Sequence, residues 1–543
     1  MKIGRAILLT VFCLIVSVIF LKVEISENGA QNSIDEVTGI YGAYSGDNSG
    51  LDSKLNQPGD GPGWITGTEL GVTGFLGETE RGPAAPEALN DYVDYERLFG
   101  GYTGRSYMPY AVKGFFDNGG QRLYVARIIS DTAKTASLKL KSGKKDALTI
   151  SALNAGDWGN RIAVRVTVGK SSTETERTFR LEVFWFSHMN YIKVKTGKPD
   201  PSQADDLEVF DDISIQENSS YYFKNSVNGK SNLILISLEE EDARLLPDNG
   251  EKLFWGAGGS DGEVPVLSDY MGDDGLDGKP ATGLNALGKI EGISTLYAPL
   301  SYVIEGLDKA LIAQCETLQD RTAIFDTALG DPRPDPWSTH ESSFAACYTP
   351  WISVTGFDSK DVMIPPGGYI AGIYARNDLV KGPNKAPVNE VLQGVKGVER
   401  VLSVQEQEAL SIRKINPVIT RTGTDYVAYG ADSLSDMTGE YKRINQRRYV
   451  NYLFDTFSTR QNWVTGQKWS IELQKQIKIS IEYFLDREWQ RGALIGSNQI
   501  EAYYVKVAQQ TVTQNGFEKQ AIVMEIGVAL QSPSEYFVFV ITK

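Results

Sequence analysis

Ile65-Thr66-Gly67-Thr68-Glu69-Leu70-Gly71-Val72-Thr73-Gly74-Phe75-Leu76-Gly77 reads as a strand whose glycines stand where the backbone turns or approaches a neighbour closely. Downstream, Tyr110, Ala111, Gly114 and Phe115 fall at helical spacing and predict a helix over 107–117. Arg122-Leu123-Tyr124-Val125-Ala126-Arg127-Ile128 then reads as a buried strand. Strand, helix, strand opens an α/β layer.

Outward from that layer the pattern changes. Between Asp131 and Leu246 the chain turns mostly β, with Ala163 to Val168 and Arg180 to Trp185 alternating apolar and polar residues, as an inserted β-rich domain would. The α/β pattern resumes over 283–326, with a helix over 302–319 and a closing strand over 321–326. Beyond Asp358 two long helices are predicted. One spans 441–459 with Val450, Leu453, Phe454 and Phe457 on one face. The other spans 469–490 with Trp469, Leu473, Ile477, Ile481, Phe484 and Leu485 at spacings of three and four. Lys475, Lys478 and Glu482 fall on its opposite side, as a solvated face or a docking surface. Strands over 502–507 and 521–529 complete a C-terminal α+β domain.

The expected class is therefore a multidomain α+β protein of 543 residues, too long for one core. Its α/β core domain takes residues 64–130 plus 247–357, the inserted β-rich domain 131–246, and the C-terminal α+β domain 358–543. An apolar segment, 1–25, and a Gly/Asn/Asp/Ser-rich arm, 26–63, precede them. In the first of these, Lys2 and Arg5 stand before Ala6 to Leu21, sixteen residues without a charge, followed by Lys22. That length falls between a packed helix and a membrane span. Residues 17–24 offer no small-x-small cleavage site, so an uncleaved anchor is the membrane alternative.

The C-terminus carries a different signal. Pro533-Ser534-Glu535-Tyr536-Phe537-Val538-Phe539-Val540-Ile541 is apolar on both alternating faces and ends two residues before the chain does. Such a strand lies deep in its own sheet or joins one offered by another subunit, since its backbone groups must be paired and both faces covered. The donated reading assigns Glu535, Tyr536, Phe537, Val538, Phe539, Val540 and Ile541 to an inter-subunit strand.

Chemistry finds little support. With 54 basic and 69 acidic residues the net charge is −15, which opposes nucleic acid and anionic membrane as partners. His188 and His340 are far apart in sequence, and Cys13, Cys315 and Cys347 lack metal-ligand spacing. Cys315 and Cys347 sit in apolar runs and read as small core residues. Gly256-Ala257-Gly258-Gly259-Ser260-Asp261-Gly262 lacks the Gly-Lys-Ser/Thr ending of a phosphate loop and reads as a plain loop. Asp273, Asp274 and Asp277 lack the spacing and terminal Glu of a calcium loop. Neither histidine stands in a nucleophile-elbow or protease context. No catalytic residue, cofactor or metal is expected.

Several stretches, taken in order, resemble the contractile tail sheath proteins of phage tails and contractile injection systems. They begin with Gly71 to Pro83, similar to the family's first core strand and turn, and Gly156-Asp157-Trp158-Gly159-Asn160, similar to its inserted WGN turn. Gly258-Gly259-Ser260-Asp261-Gly262 resembles its Gly-Gly-x-Asp-Gly loop. Tyr348-Thr349-Pro350-Trp351, Pro365 to Asp378, Lys385-Ala386-Pro387, Ile415-Asn416-Pro417, Ile444-Asn445-Gln446-Arg447-Arg448 and Ser534 to Phe539 follow, covering residues 61–543.

The resemblance implies a non-enzymatic, mechanical subunit. It would assemble in the cytoplasm as stacked rings around an inner tube, bounded by baseplate and terminal cap proteins. As part of a phage tail or injection particle it would contract to drive the tube through a target envelope, with no cofactor and no direct nucleic-acid contact. It also implies a subtilisin-like but non-catalytic α/β core, and a C-terminal sheet completed by strands from neighbouring subunits. Lys442, Arg443, Lys475 and Lys478 are the candidate tube-facing residues. Two departures stand out. The family's opening Pro-Gly-Val-Tyr strand has as its nearest counterpart Gly39 to Tyr44, with Thr38 in place of proline. Its Trp-Gly-Ala-Arg-Thr-Leu patch appears as Tyr429-Gly430-Ala431-Asp432-Ser433-Leu434, an acid replacing a base. The rival readings are a hydrolase and a membrane-anchored binding protein held by residues 6–21.

Overall fold

The computed structural model describes residues 20–21, 65–173, 176–187, 190, 200–239, 245–330, 340–421, 425–435, 441–464, 466–514, 517–530 and 536–542. At its centre is one nine-stranded sheet. Strands β2 (Val72–Glu78), β4 (Arg122–Ile128), β12 (Thr295–Tyr297), β13 (Thr322–Asp326), β14 (Ala345–Thr349) and β19 (Ile415–Thr420) are parallel, in the spatial order β4-β2-β12-β13-β14-β19. Antiparallel strands close the two edges: β3 (Glu87–Leu89) beside β4, and β20 (Tyr426–Ala428) with β17 (Glu390–Val391) beyond β19.

Period-two side-chain alternation explains why this sheet is covered on both faces. Phe75, Leu123, Val125, Tyr297, Ile324, Ala346 and Tyr348 point to one face, where α1 (Tyr92–Phe99), α2 (Met108–Asp117) and α4 (Gly367–Lys381) cover them. Val72, Leu76, Ala126, Leu296, Ala323, Phe325 and Cys347 point to the other, against α3 (Leu307–Leu318) and the short helix Gly283–Leu287. The buried runs seen in the sequence are thus two-sided strands. Residues on both sides of the expected 357/358 boundary supply strands to this one sheet, because β14 pairs with β19.

Helix α4 was not expected. Its sequence carries no polar stripe, because eleven of its fifteen residues are buried. Glycines set its distance from α2. A Cβ on Gly372 would lie 2.4 Å from the Phe115 carbonyl oxygen, and one on Gly368 would lie 2.5 Å from Ala111 Cα.

Two antiparallel sheets share the core of the segment between β4 and β12. One has the order β10-β6-β5 (Ile234–Leu238, Lys145–Ala152, Ser137–Ser142); the other runs β11-β7-β8-β9 (Gly250–Trp255, Ile162–Val168, Phe179–Trp185, Asp206–Ile213). Leu148, Ile150, Trp158, Val164, Val166, Leu181, Val183 and Ile236 fill the space between them. A small sheet, β16-β15-β18 (Asp361–Ile364, Ile352–Thr355, Val395–Val398), lies beyond β14 in sequence, and α5 (Val404–Ile412) leads into β19.

The C-terminal part stacks α6 (Ile444–Arg460) and α7 (Ile471–Gln490) on a sheet in which β22 (Phe517–Ala529) lies between β21 (Tyr503–Gln514) and β23 (Tyr536–Thr542). Leu453, Phe457, Ile477, Ile481, Leu485, Val505, Met524 and Ile526 form its core, as the two helical stripes predict. Helix α6 starts later than expected because Tyr441 has a left-handed backbone (φ 59°) and Arg443 an extended one. Ser470 caps α7, its Oγ accepting from Leu473 N at 3.1 Å. In this single chain β23 folds back antiparallel on β22, with Phe539 opposite Ile526. On its other edge β1 (Phe20–Leu21) pairs with Thr542 and Ile541. Among the described residues no helix is long and apolar enough to cross a membrane. Residues 6–19, Gly39 to Tyr44 and Glu535 lie outside the described residues.

Candidate functional site

Two joints flank the α/β core. The first is the neck of the β-rich segment, where the chain enters through 131–136 and leaves through 256–263. The two passes pair directly. Lys134 N donates to Ser260 O at 2.8 Å and Ser260 N to Lys134 O at 3.0 Å, while Ser137 and Ala257 exchange bonds of 2.9 and 3.0 Å. The WGN turn clamps the exit. Asn160 Nδ2 donates to Gly259 O at 2.8 Å, Gly259 N donates back to Asn160 Oδ1 at 2.9 Å, and Asp157 N donates to Asp261 Oδ1 at 2.9 Å. Asp261 also forms an ion pair with Arg105. The glycines that tempted a phosphate-loop reading serve this clamp: a Cβ on Gly259 would sit 2.4 Å from Gly156 O.

Charge is buried beside the clamp. Arg127, on β4, donates to Gly82 O at 2.9 Å and Ala155 O at 2.8 Å, and burial brings its guanidinium pKa down to about 10. Arg161 and Glu80 pair at 2.8 Å, both almost fully buried. The Arg81 guanidinium lies 4.3 Å from the Trp185 ring centroid, and Trp158 is enclosed completely. Both strands of the neck and the first core strand are therefore held in one network.

The second joint is α6, which has two working faces. Val450, Leu453 and Phe457 enter the C-terminal core. The other face meets the α/β core through Ile444, which is buried among that core's apolar side chains, and then through a row of polar groups. Asn445 Nδ2 donates to Asn384 O at 2.9 Å, Arg447 Nε to Ser343 Oγ at 2.9 Å, and Asn451 Nδ2 to Arg321 O at 3.0 Å. Arg447 stacks on Phe344 and Tyr441; Arg448 forms a buried ion pair with Asp378 and lies 4.3 Å from the Tyr374 ring centroid. The Ile444 to Arg448 motif is thus a docking strip.

Asp432, where the resembled family has a base, receives Asn416: Asp432 N donates to Asn416 Oδ1 at 2.7 Å, and Asn416 Nδ2 donates to Asp432 O at 2.8 Å. Its carboxylate pairs with Arg443. The base is supplied from eleven residues downstream. Of the four candidate tube-facing residues, Arg443 therefore already has an intramolecular partner and Lys478 pairs with Glu482 at 3.7 Å, whereas Lys442 and Lys475 stand exposed.

The chemical tests give structural answers. His340 Nε2 lies 2.5 Å from Asp308 Oδ2 in a nearly closed site, while nearby Ser342 Oγ donates to Glu316 rather than to the imidazole. His188 lies outside the described residues. Cys315 and Cys347 are buried, and burial pushes both thiols up, away from the reactive thiolate. No group of three or more His, Cys, Asp or Glu side chains among the described residues is placed to hold a metal ion. Asp269 instead caps a turn at Val266 N, and Asp273 one at Gly275 N.

Comparison with known proteins points in one direction. No family model matches the chain. A tail sheath protein of Vibrio phage KVP40 is 32% identical over 100 residues, which is 18% of this chain and 15% of that protein. Among solved structures, a sheath tail protein from Listeria innocua aligns with 88% of this chain and 95% of its own at a TM-score of 0.59 and 12% identity. One from Desulfitobacterium hafniense aligns over 88% and 96% at 0.56 and 12%. The contracted helical sheath of the anti-feeding prophage aligns over 88% and 95% at 0.50 and 17%. This chain is a mixed α/β multidomain protein with the fold of these sheath proteins.

Proposed function

We propose that this chain, with the fold of contractile sheath proteins as the premise, is the structural subunit of a contractile sheath. Subunits would polymerise as stacked rings around an inner tube, bounded by baseplate and cap proteins. They would then repack into a shorter lattice that drives the tube through a target envelope. No reaction is assigned to the chain; the work comes from the difference in packing between two lattices, so no nucleotide is needed. Assembly in the cytoplasm followed by incorporation into a phage tail or injection particle fits this reading.

The observation that carries the proposal is the alignment of 88% of the chain with 95% of the Listeria sheath tail protein. The C-terminal sheet adds support, since on one side of β22 it is completed by β23, from residues 536–542, and then at the edge by β1, from residues 20–21. Strands so placed can be exchanged between copies, because the backbone pairing is the same whether the donor is the same chain or a neighbour. Glu535 to Ile541 is accordingly proposed as the inter-subunit strand. We further assign 64–130 with 247–357, together with α4 and the strands that residues 358–435 add to the central sheet, to a subtilisin-like core, 131–246 to an insertion and 441–543 to the assembling domain, with Lys442 and Lys475 the best placed of the four basic residues to meet a tube.

Negative-stain electron microscopy of the full chain and of a variant lacking residues 533–543 tests the proposal. Hollow cylinders from the full chain that vanish in the truncated one are expected. Monomers in both samples overturn it, and cylinders in both overturn strand exchange.

A further inference from the structure

The seat of α6 on the α/β core encloses more acid than base. A small cleft there, with a volume of about 20 Å³, is lined by Thr68, Glu69, Asp320, Asp378, Arg448 and Asp455, among others. Glu291 acts on Asp455 from the loop before β12. Against these five carboxylates stand three guanidinium groups: Arg448 paired with Asp378, Arg321 with Asp320, and Arg122 with Glu69. Asp455 accepts from Thr68 and has no cation of its own in that set, Arg321 being held by Asp320 and by the carbonyls of Leu287 and Ile290. Tyr374 and Tyr452 are the other titratable groups facing the cleft, while Glu488 and Arg491 flank Tyr452 from α7.

Three of these groups at the centre of the seat are out of water. Asp378 is 2% exposed, Arg448 4% and Asp455 8%. Within the described residues Asp378 Oδ1 and Arg448 Nε and Nη1 meet no hydrogen-bonding partner. Ionised carboxylates held this way repel one another and forgo hydration, and both costs disappear when a carboxyl takes up a proton or the helix lifts into water. A mainly polar seam between two apolar cores is also where relative motion is least expensive.

We propose that the seat of α6 is a proton-tightened joint: Asp455 holds a proton while α6 is docked and releases it when the helix lifts from the α/β core, Asp378 staying paired with Arg448. Mild acid then favours the docked state and neutral pH loosens it. Burial supports this by pushing Asp455 up to about 6, with Asp320 adding to the rise and Arg321 opposing it. In the lifted state it reverts to the ordinary value of 3.8, so opening becomes easier from about pH 4 to about pH 6 and levels off above it. The joint belongs to the single chain and stands whether or not the chain builds cylinders.

Hydrogen exchange of the full chain at pH 5 and pH 7, corrected for intrinsic rates, reads the opening directly. Amides of 447–456 are expected to lose about tenfold in protection across that step, while those of β2 and β4 lose less. Asp455→Asn should remove the step. Direct titration of ¹³C-labelled aspartate carboxyls in the unaltered chain provides the second reading, with one carboxyl titrating near pH 6 that is missing from Asp455→Asn. Equal protection at both pH values, an undiminished step in Asp455→Asn, or no carboxyl titrating near pH 6 overturns the proposal.

Discussion

Asn160 and Gly259 hold each other through two reciprocal hydrogen bonds, 2.8 and 2.9 Å long, across 99 residues of sequence. Each of the two motifs is a turn by itself. Together they fasten the exit of the β-rich segment to a turn within it, beside the direct pairing of Lys134 with Ser260 and Ser137 with Ala257, so that the segment leaves the α/β core through a braced neck rather than two loose strands.

Asn160→Ala should therefore weaken the neck. It removes both bonds and leaves the Gly259 N–H and C=O half-buried without them, a cost of roughly 2–4 kcal/mol. Urea unfolding should show an earlier transition. Limited proteolysis should open the chain first near 256–263, and an unchanged cleavage pattern would contradict the clamp.

Gly372→Ala should separate α2 from α4. The new Cβ would lie 2.4 Å from Phe115 O and 3.0 Å from Phe115 Cα, and that backbone does not yield cheaply. Overpacking of this kind costs about 1–3 kcal/mol. A lower urea midpoint with the far-ultraviolet circular dichroism unchanged is the expected result.

Arg448→Met alone strands Asp378 in the joint and should cost roughly 3–5 kcal/mol, whereas Arg448→Met with Asp378→Leu should recover most of that loss. A double-mutant cycle in urea measures it. Additive effects would mean that the pair contributes no coupling.

Asp326 makes stability depend on pH. Its carboxylate accepts from Tyr297 Oη and from Gly367 N, each at 2.7 Å, at the start of α4, yet burial still pushes it up to about 7 from an ordinary 3.8. The folded state thus binds the proton more tightly than the unfolded chain. Stability from this group is greatest below about pH 4 and falls as pH rises to about 7, by roughly 4 kcal/mol in all. Asp326→Asn should flatten that part of the profile and be at least as stable as the parent at pH 8. A steeper slope in the variant would reverse the assignment.

Much of the architecture was legible because it is local. Buried runs such as 122–128 and 322–326, the stripes of α6 and α7, and the strands over 162–168 and 179–185 are set by spacings of two, three and four residues, which a sequence displays directly. Helix α4 was hidden for the same reason: a helix buried on every side has no polar face, so its period leaves no trace. The continuation of the central sheet past residue 357 was equally hidden, since nothing in β19 names β14 as its neighbour.

By itself, then, the sequence determined the strands and helices that bury one face or a short apolar run, the apolar character of the last strand, and the ordered motifs that resemble sheath proteins. Tertiary structure alone decided who meets whom. It matched Asn160 with Gly259, gave Asp432 the base Arg443, faced Asp378 with Arg448 inside a polar seam, and laid β23 on β22 with Phe20–Leu21 at its edge. Local pattern follows from backbone geometry over a few residues, whereas these pairings depend on burial and charge brought together only when distant segments share one core.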